Sequence, residues 1–156
     1  FGCDCVTLSP YMGRDSIDPF LKDPEKGVFI LCRTSNESAS DFQNNLNHGE
    51  PLFEKVAQWA NGLNDINNVG LVVGATAPEE LTRVREISPD LSLLIPGVGA
   101  QGGDLEHSVK MGNQSGVGLI NISRGISFAG DMSEKEIRSS AEKYVNQMRS
   151  VMSETE

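Results

Sequence analysis

Leu91-Ser92-Leu93-Leu94-Ile95-Pro96-Gly97-Val98-Gly99-Ala100-Gln101-Gly102-Gly103-Asp104 passes from an apolar run straight into a glycine-rich turn. A short, nearly continuous apolar run bounded by turn residues reads as a strand buried on both faces, the kind found in parallel sheets covered by helices. Asp104 then opens a short helix ending near Gly112. The pattern recurs downstream, where Val117 to Ile122 leads into Ser123-Arg124-Gly125. It also recurs upstream: Val28 to Cys32 and Val69 to Val73 are nearly continuous apolar runs, and Cys3 to Leu8 alternates.

Helical patterns lie between these runs. Pro51 opens one in which Leu52, Val56, Trp59, Ala60 and Leu63 share a face. Thr76-Ala77-Pro78-Glu79 has the form of a capping box ahead of Leu81, Val84 and Ile87. Ser133-Glu134-Lys135-Glu136 has the same form ahead of the longest amphipathic stripe in the chain, Ile137, Ala141, Tyr144, Val145, Met148 and Met152. The order strand, loop, helix predicts a parallel α/β architecture, either doubly wound or a closed barrel. Every strand ends in a polar or glycine-rich segment, whereas a doubly wound sheet concentrates its ligand groups at one switch point. The barrel fits better.

A complete eight-stranded barrel takes about 250 residues, and the chain has 156. Residues 1–156 are therefore expected to form a single incomplete domain, the C-terminal five strand-helix units of a (β/α)8 TIM barrel. The upstream strands 1–3, roughly 100 residues, would come from another polypeptide or from the rest of a longer one. Parallel strands left open at both edges would otherwise be prone to aggregate.

The composition excludes several partners. A net charge of −9 with scattered Lys and Arg argues against nucleic acid, because counterion release needs clustered cations. No apolar stretch reaches the roughly 18 residues needed to span a bilayer, and Phe1-Gly2-Cys3-Asp4 lacks a basic leader. No membrane and a cytoplasmic setting are the expectation. Cys3, Cys5 and Cys32 contain no Cys-x-x-Cys and read as buried free thiols; His48 and His107 lack ligand spacing, so no metal site is expected.

In barrels the loops after the last two strands commonly hold phosphate, using backbone N–H groups, a helix N-terminus and a cation. Gln101, Gly102, Gly103 and Arg124 supply those parts. The glycines alone would serve a tight turn equally well; the Asp104 helix and Arg124 together favour phosphate. Arg33-Thr34-Ser35-Asn36 puts short hydrogen-bonding side chains at another strand end, either as a capped turn or as a face that reads a planar ligand. It continues into a long polar stretch as far as Glu50, of the length that lids and binding loops have. Ser9-Pro10-Tyr11-Met12-Gly13 is either a plain turn or a mouth loop packing on a partner subunit.

Taken in order, Ser9 to Gly13, Leu31 to Asn36, Gly70 to Thr76, Ile95 to Asp104 and Ile120 to Arg124 resemble orotidine 5'-phosphate decarboxylase, in the subgroup with a long loop after its fifth strand. The likeness covers about residues 3 to 130. It implies a homodimeric barrel that converts orotidine 5'-monophosphate to uridine 5'-monophosphate and carbon dioxide without a cofactor. By the resemblance, Arg124 and the Gln101 side chain grip the phosphate, with the backbone N–H groups of Gly103, Ser123 and Arg124 nearby. Thr34 and Ser35 face the pyrimidine, and Pro96 packs beside the base.

The family's charged catalytic array, an Asp-x-Lys-x-x-Asp run at the third strand plus a Lys at the second, has no counterpart here. Asp23-Pro24-Glu25-Lys26 has neither its order nor its strand context. The chain is expected to carry no catalytic residue, only the substrate-gripping part. Two other readings stay open: another phosphate-handling barrel such as an epimerase, aldolase or synthase, and a non-catalytic half-barrel.

Overall fold

A computed structural model describes residues 2–99 and 101–154; Phe1, Ala100, Thr155 and Glu156 lie outside the described residues. In chain order the elements are strand β1 (Cys5–Leu8), a 3-10 turn (Pro10–Met12), helix α1 (Arg14–Leu21), β2 (Gly27–Arg33), a second 3-10 turn (Glu37–Asp41), the short strands β3 (Leu46–Asn47) and β4 (Glu50–Pro51), and α2 (Leu52–Asn61). Then follow β5 (Val69–Val73), α3 (Pro78–Ile87), β6 (Ser92–Pro96), α4 (Leu105–Gly112), β7 (Gly118–Asn121), α5 (Arg124–Ser127) and α6 (Glu134–Ser153).

Five strands form one parallel sheet in the order β1-β2-β5-β6-β7, while β3 and β4 pair antiparallel as a separate hairpin. The spatial order follows the chain without reversal, so there is no switch point. A singly wound parallel sheet of this kind curls toward a barrel rather than a two-sided open sheet. The fold is α/β and covers part of a (β/α)8 barrel.

The core lies on the helix-covered face. Val28, Ile30 and Cys32 of β2, Leu71 and Val73 of β5, and Leu93 and Ile95 of β6 meet Phe53, Ala57 and Ala60 of α2 and Leu81 and Val84 of α3. Four strands were expected to be buried on both faces; among the described residues only β5 is. β2 and β6 alternate between buried and half-buried positions, and β7 between half-buried and exposed. β5 is the middle strand, the one farthest from both open edges of the sheet.

β1, an edge strand, is exposed along most of its length. That corrects the expectation for its thiols: Cys3 and Cys5 are exposed, and only Cys32 is buried. Burial pushes the Cys32 thiol up to about 12, and its Sγ lies 3.2 Å from the carbonyl oxygen of Phe53.

Two helix details also differ from the sequence reading. The Thr76 capping box does not form: Ala77 caps α3 without a side-chain bond, and the Thr76 hydroxyl instead donates to the Ser35 carbonyl at 3.1 Å. Pro at the first helical position removes one donor that a cap would satisfy. On α2 the buried stripe is Phe53, Ala57 and Ala60, with Leu52 exposed. The Asp104 and Ser133 caps do form, accepting from the backbone N–H groups of His107 at 3.0 Å and Glu136 at 3.4 Å.

Candidate substrate site at the strand ends

In a parallel sheet every strand ends on the same side, so four loops converge: Thr34-Ser35 after β2, Gly74 to Thr76 after β5, Pro96 to Asp104 after β6, and Ser123-Arg124 after β7. A cleft of about 180 Å³ opens there, lined by Ser35, Pro96, Gly97, Val98, Gln101, Asn121, Ser123 and Arg124. Clefts that enclose a drug-sized ligand run to about 300 Å³ and more. This one is smaller.

Local backbone chemistry explains how Ser35 reaches the cleft. The β2–β5 register slips between Leu31 and Arg33, so one extra residue is accommodated just before the loop. Such a bulge re-aims the chain that follows. The Gly74 N–H donates to the Arg33 carbonyl at 2.6 Å, and a methyl group on Gly74 would meet the Ser35 backbone at 2.7 Å. Only glycine lets the β5 end come so close.

Gly97, with φ at 102°, turns the β6 loop back. A methyl group there would lie 2.8 Å from Gln101 Oε1 and 3.0 Å from Ser35 Cβ, so the Gln101 amide and Ser35 flank the same bare backbone. The Ser123 hydroxyl donates to Asn121 Oδ1 at 3.0 Å. Arg124 begins α5 with an exposed side chain, and among the described residues its guanidinium has no hydrogen-bond or ion-pair partner.

Ser35, Pro96, Gln101, Ser123 and Arg124 are thus brought together, and two of the expected residues are not. Thr34 does not line the cleft. Its N–H donates to Gln43 Oε1 at 2.8 Å, its hydroxyl donates to Asn36 Oδ1 at 2.6 Å, and Gln43 Nε2 donates back to the hydroxyl at 2.8 Å. The Gly103 N–H is likewise engaged, donating to the Gly97 carbonyl at 3.1 Å and closing the loop on itself. Both Thr34 and Ser35 lie past the end of β2, and of the two only Ser35 lines the cleft.

Sequence reasoning missed Asn121 and Gln43. Asn121 ends β7 in register with Pro96, and a polar residue closing an apolar run was the available signal. Gln43 sits in a stretch without periodicity and carried no signal. In the Asp23 to Lys26 segment, Lys26 Nζ pairs with Asp4 Oδ1 at 2.7 Å, just before β2 and β1 begin, at the end of the sheet opposite the cleft. Among the described residues no group of His, Cys, Asp and Glu is arranged to hold a metal ion, and no helix is long and apolar enough to cross a membrane.

The model of the orotidine 5'-phosphate decarboxylase / HUMPS family matches residues 1–138. The chain belongs to that family. It is 57% identical over 139 residues to an orotidine 5'-phosphate decarboxylase of Halorubrum lacusprofundi, covering 85% of the chain and 50% of that protein. The decarboxylase of Dechloromonas aromatica is 55% identical over 133 residues, covering 83% of the chain and 49% of that protein. The chain spans about half the length of the curated relatives it matches.

Among solved structures, the Leishmania donovani UMP synthase superposes on 96% of the chain and 33% of its own with a TM-score of 0.87 at 43% identity. The Leishmania donovani OMP decarboxylase does so on 96% and 57% with a TM-score of 0.82 at 38% identity.

Proposed function

We propose that the complete polypeptide is an orotidine 5'-phosphate decarboxylase, and that these 156 residues hold the phosphate and pyrimidine of its substrate. The observation that carries the reading is the arrangement of Arg124, Gln101 and Ser35 around one cleft at the strand ends, with the Arg124 guanidinium free of any partner among the described residues. A fork of N–H donors without a carboxylate is suited to a phosphate dianion, which it binds bidentately. α5 begins at Arg124, and no side chain caps its first N–H groups. Gln101 is suited to bridging phosphate and base, because one amide both donates and accepts.

Ser35 takes the pyrimidine edge, and Thr34 supports it from behind through Gln43. Pro96, on the cleft wall, offers the apolar surface beside the base. The reaction builds negative charge on the pyrimidine carbon as carbon dioxide leaves, and protonation there completes it. That chemistry falls to charged residues outside these 156. The contribution of this chain is binding energy from groups remote from the reacting carbon, which loop closure and orientation convert into rate.

Further parts of the reading concern the assembly. The open edges at β1 and β7 call for the remaining barrel strands, since unpaired backbone groups at both edges and a half-covered inner face leave the sheet unfinished. Tyr11 and Met12, 90% and 73% exposed at the end of β1, support a homodimer contact beside the mouth. Three free thiols suit a cytoplasmic setting.

Calorimetry on the complete polypeptide tests the grip. Arg124→Ala is expected to weaken uridine 5'-monophosphate by about 2–5 kcal/mol, the range for removing one partner of a buried charge pair, and to leave uridine unchanged. Arg124→Lys recovers part of the loss, since the planar fork is gone. Equal weakening of nucleotide and nucleoside would rule out Arg124 as a phosphate ligand.

A further inference from the structure

Tyr144 lies on α6, outside the cleft, yet its phenol reaches both loops that grip the proposed phosphate. A methyl group on Gly99 would come within 2.9 Å of the Tyr144 hydroxyl oxygen. One on Gly125 would come within 2.7 Å of the same oxygen and 3.3 Å of ring Cε2. Gly99 is two residues before Gln101, and Gly125 directly follows Arg124. The phenol oxygen is thus wedged between the β6 loop and the first turn of α5.

One turn earlier on the same helix, the Ser140 hydroxyl donates to the Gly125 carbonyl at 2.7 Å. The body of the ring is half-buried against the core cluster that includes Val98 and Ile95. A tyrosine has only two side-chain torsions and little freedom once packed, so it serves as a rigid spacer. Gly125 lies outside the left-handed region, so its backbone would accept alanine. What excludes a side chain there is the phenol and, at 3.2 Å, Ile122 Cγ2.

We propose that Tyr144 is a positioning residue that sets the separation of Gln101 and Arg124 by standing between their loops. The inference rests on the phosphate reading given above. Two ligands on separate loops clamp one phosphate only when their spacing matches it, and a misplacement of an ångström is enough to cost a large factor in binding or rate. Helix α6 thereby does more than cover the sheet: Ser140 and Tyr144, four residues apart, hold the Arg124 turn against the Gln101 loop.

The test uses the complete polypeptide and calorimetry with uridine 5'-monophosphate and uridine. Gly125→Ala drives a methyl into the phenol and is expected to weaken the nucleotide about tenfold while leaving uridine within about twofold. Tyr144→Phe in the same chain removes the oxygen that the methyl meets and restores most of the nucleotide affinity. Tyr144→Ala, which leaves the loops without a spacer, repeats the selective loss. Nucleotide affinity unchanged in both Gly125→Ala and Tyr144→Ala would overturn the proposal, as would parallel loss of nucleotide and nucleoside or an absence of rescue in the double variant. A wild-type protein that binds the nucleotide no better than the nucleoside would overturn the phosphate reading itself, a result that separates the two failures.

Discussion

Ser35 and Thr34 are neighbours with opposite fates. Ser35 stands in the cleft while the Thr34 hydroxyl is spent on Asn36 and Gln43. Ser35→Ala is expected to cost about 1–3 kcal/mol in binding, through unpaired polar groups on the ligand, and equally for uridine and its monophosphate. Thr34→Val is expected to cost less, because it acts only indirectly, by loosening Asn36 and Gln43; calorimetry on the two variants ranks them.

Gln101 and Arg124 stood out in the sequence through the glycine-rich turns that follow two apolar runs, and Pro96 through the family resemblance; the structure puts all three along the cleft. Which of Thr34 and Ser35 lines the cleft was not legible, because two short polar residues in a row look alike in sequence and the one-residue bulge just before them leaves no local pattern. Cys32 gives a pH signature of its own. Its folded value, about 12, lies above its ordinary 9.0 because burial disfavours the thiolate. The folded state therefore holds the proton more tightly, and the associated stability is full below pH 9 and lost as pH rises from 9 toward 12. Thiol labelling at about pH 8, below that window, is expected to spare Cys32 until the protein unfolds.

At the level of elements, α3 shows both how much and how little periodicity reveals. Leu81 and Val84 fall on its buried face as their spacing predicts, yet Arg85 beside them is also buried, at 2% exposure. Its guanidinium donates to the carbonyls of Ser88, Pro89, Leu91, Met111 and Gly112. Burial lowers its pKa and the nearby Asp90 charge partly offsets that. One side chain thus satisfies the ends of α3 and α4 and the approach to β6, an arrangement that no local pattern announces.

Arg85→Met keeps the volume and strands those acceptors. It is expected to destabilise the fold by about 3 kcal/mol or more, given about 1–3 kcal/mol for each buried group left unpaired. Chemical denaturation measures the loss, and a change under about 1 kcal/mol, the scale of ordinary exposed ion pairs, would remove Arg85 from this role. α6 is the converse case. Its stripe was plain in the sequence, but the helix packs beside α4 and α5 with none of its residues fully buried. Val145 and Met152 stay exposed.

Across the whole molecule, the strand-helix alternation sufficed to identify a parallel α/β sheet, and the polar strand ends favoured the barrel over a doubly wound sheet and located the mouth. Burial on each face was less legible, because it depends on what stands across the sheet rather than along the strand. The inner face of β2 and β6 remains half-buried and β1 and β7 remain open edges, which is why the account gives this chain the grip and assigns the decarboxylating charges to the other barrel strands. Purified alone, the 156 residues are expected to leave orotidine 5'-monophosphate unchanged; turnover by them would place the catalytic charges within this chain. The most direct measurement of the central claim is the loss of orotidine 5'-monophosphate absorbance with the complete polypeptide, wild type against Arg124→Ala. The account expects turnover by the wild type and a kcat/KM at least about thirtyfold lower in the variant, the equivalent of about 2 kcal/mol. A folded complete polypeptide that leaves the absorbance untouched, or an Arg124→Ala variant as active as the wild type, would contradict it.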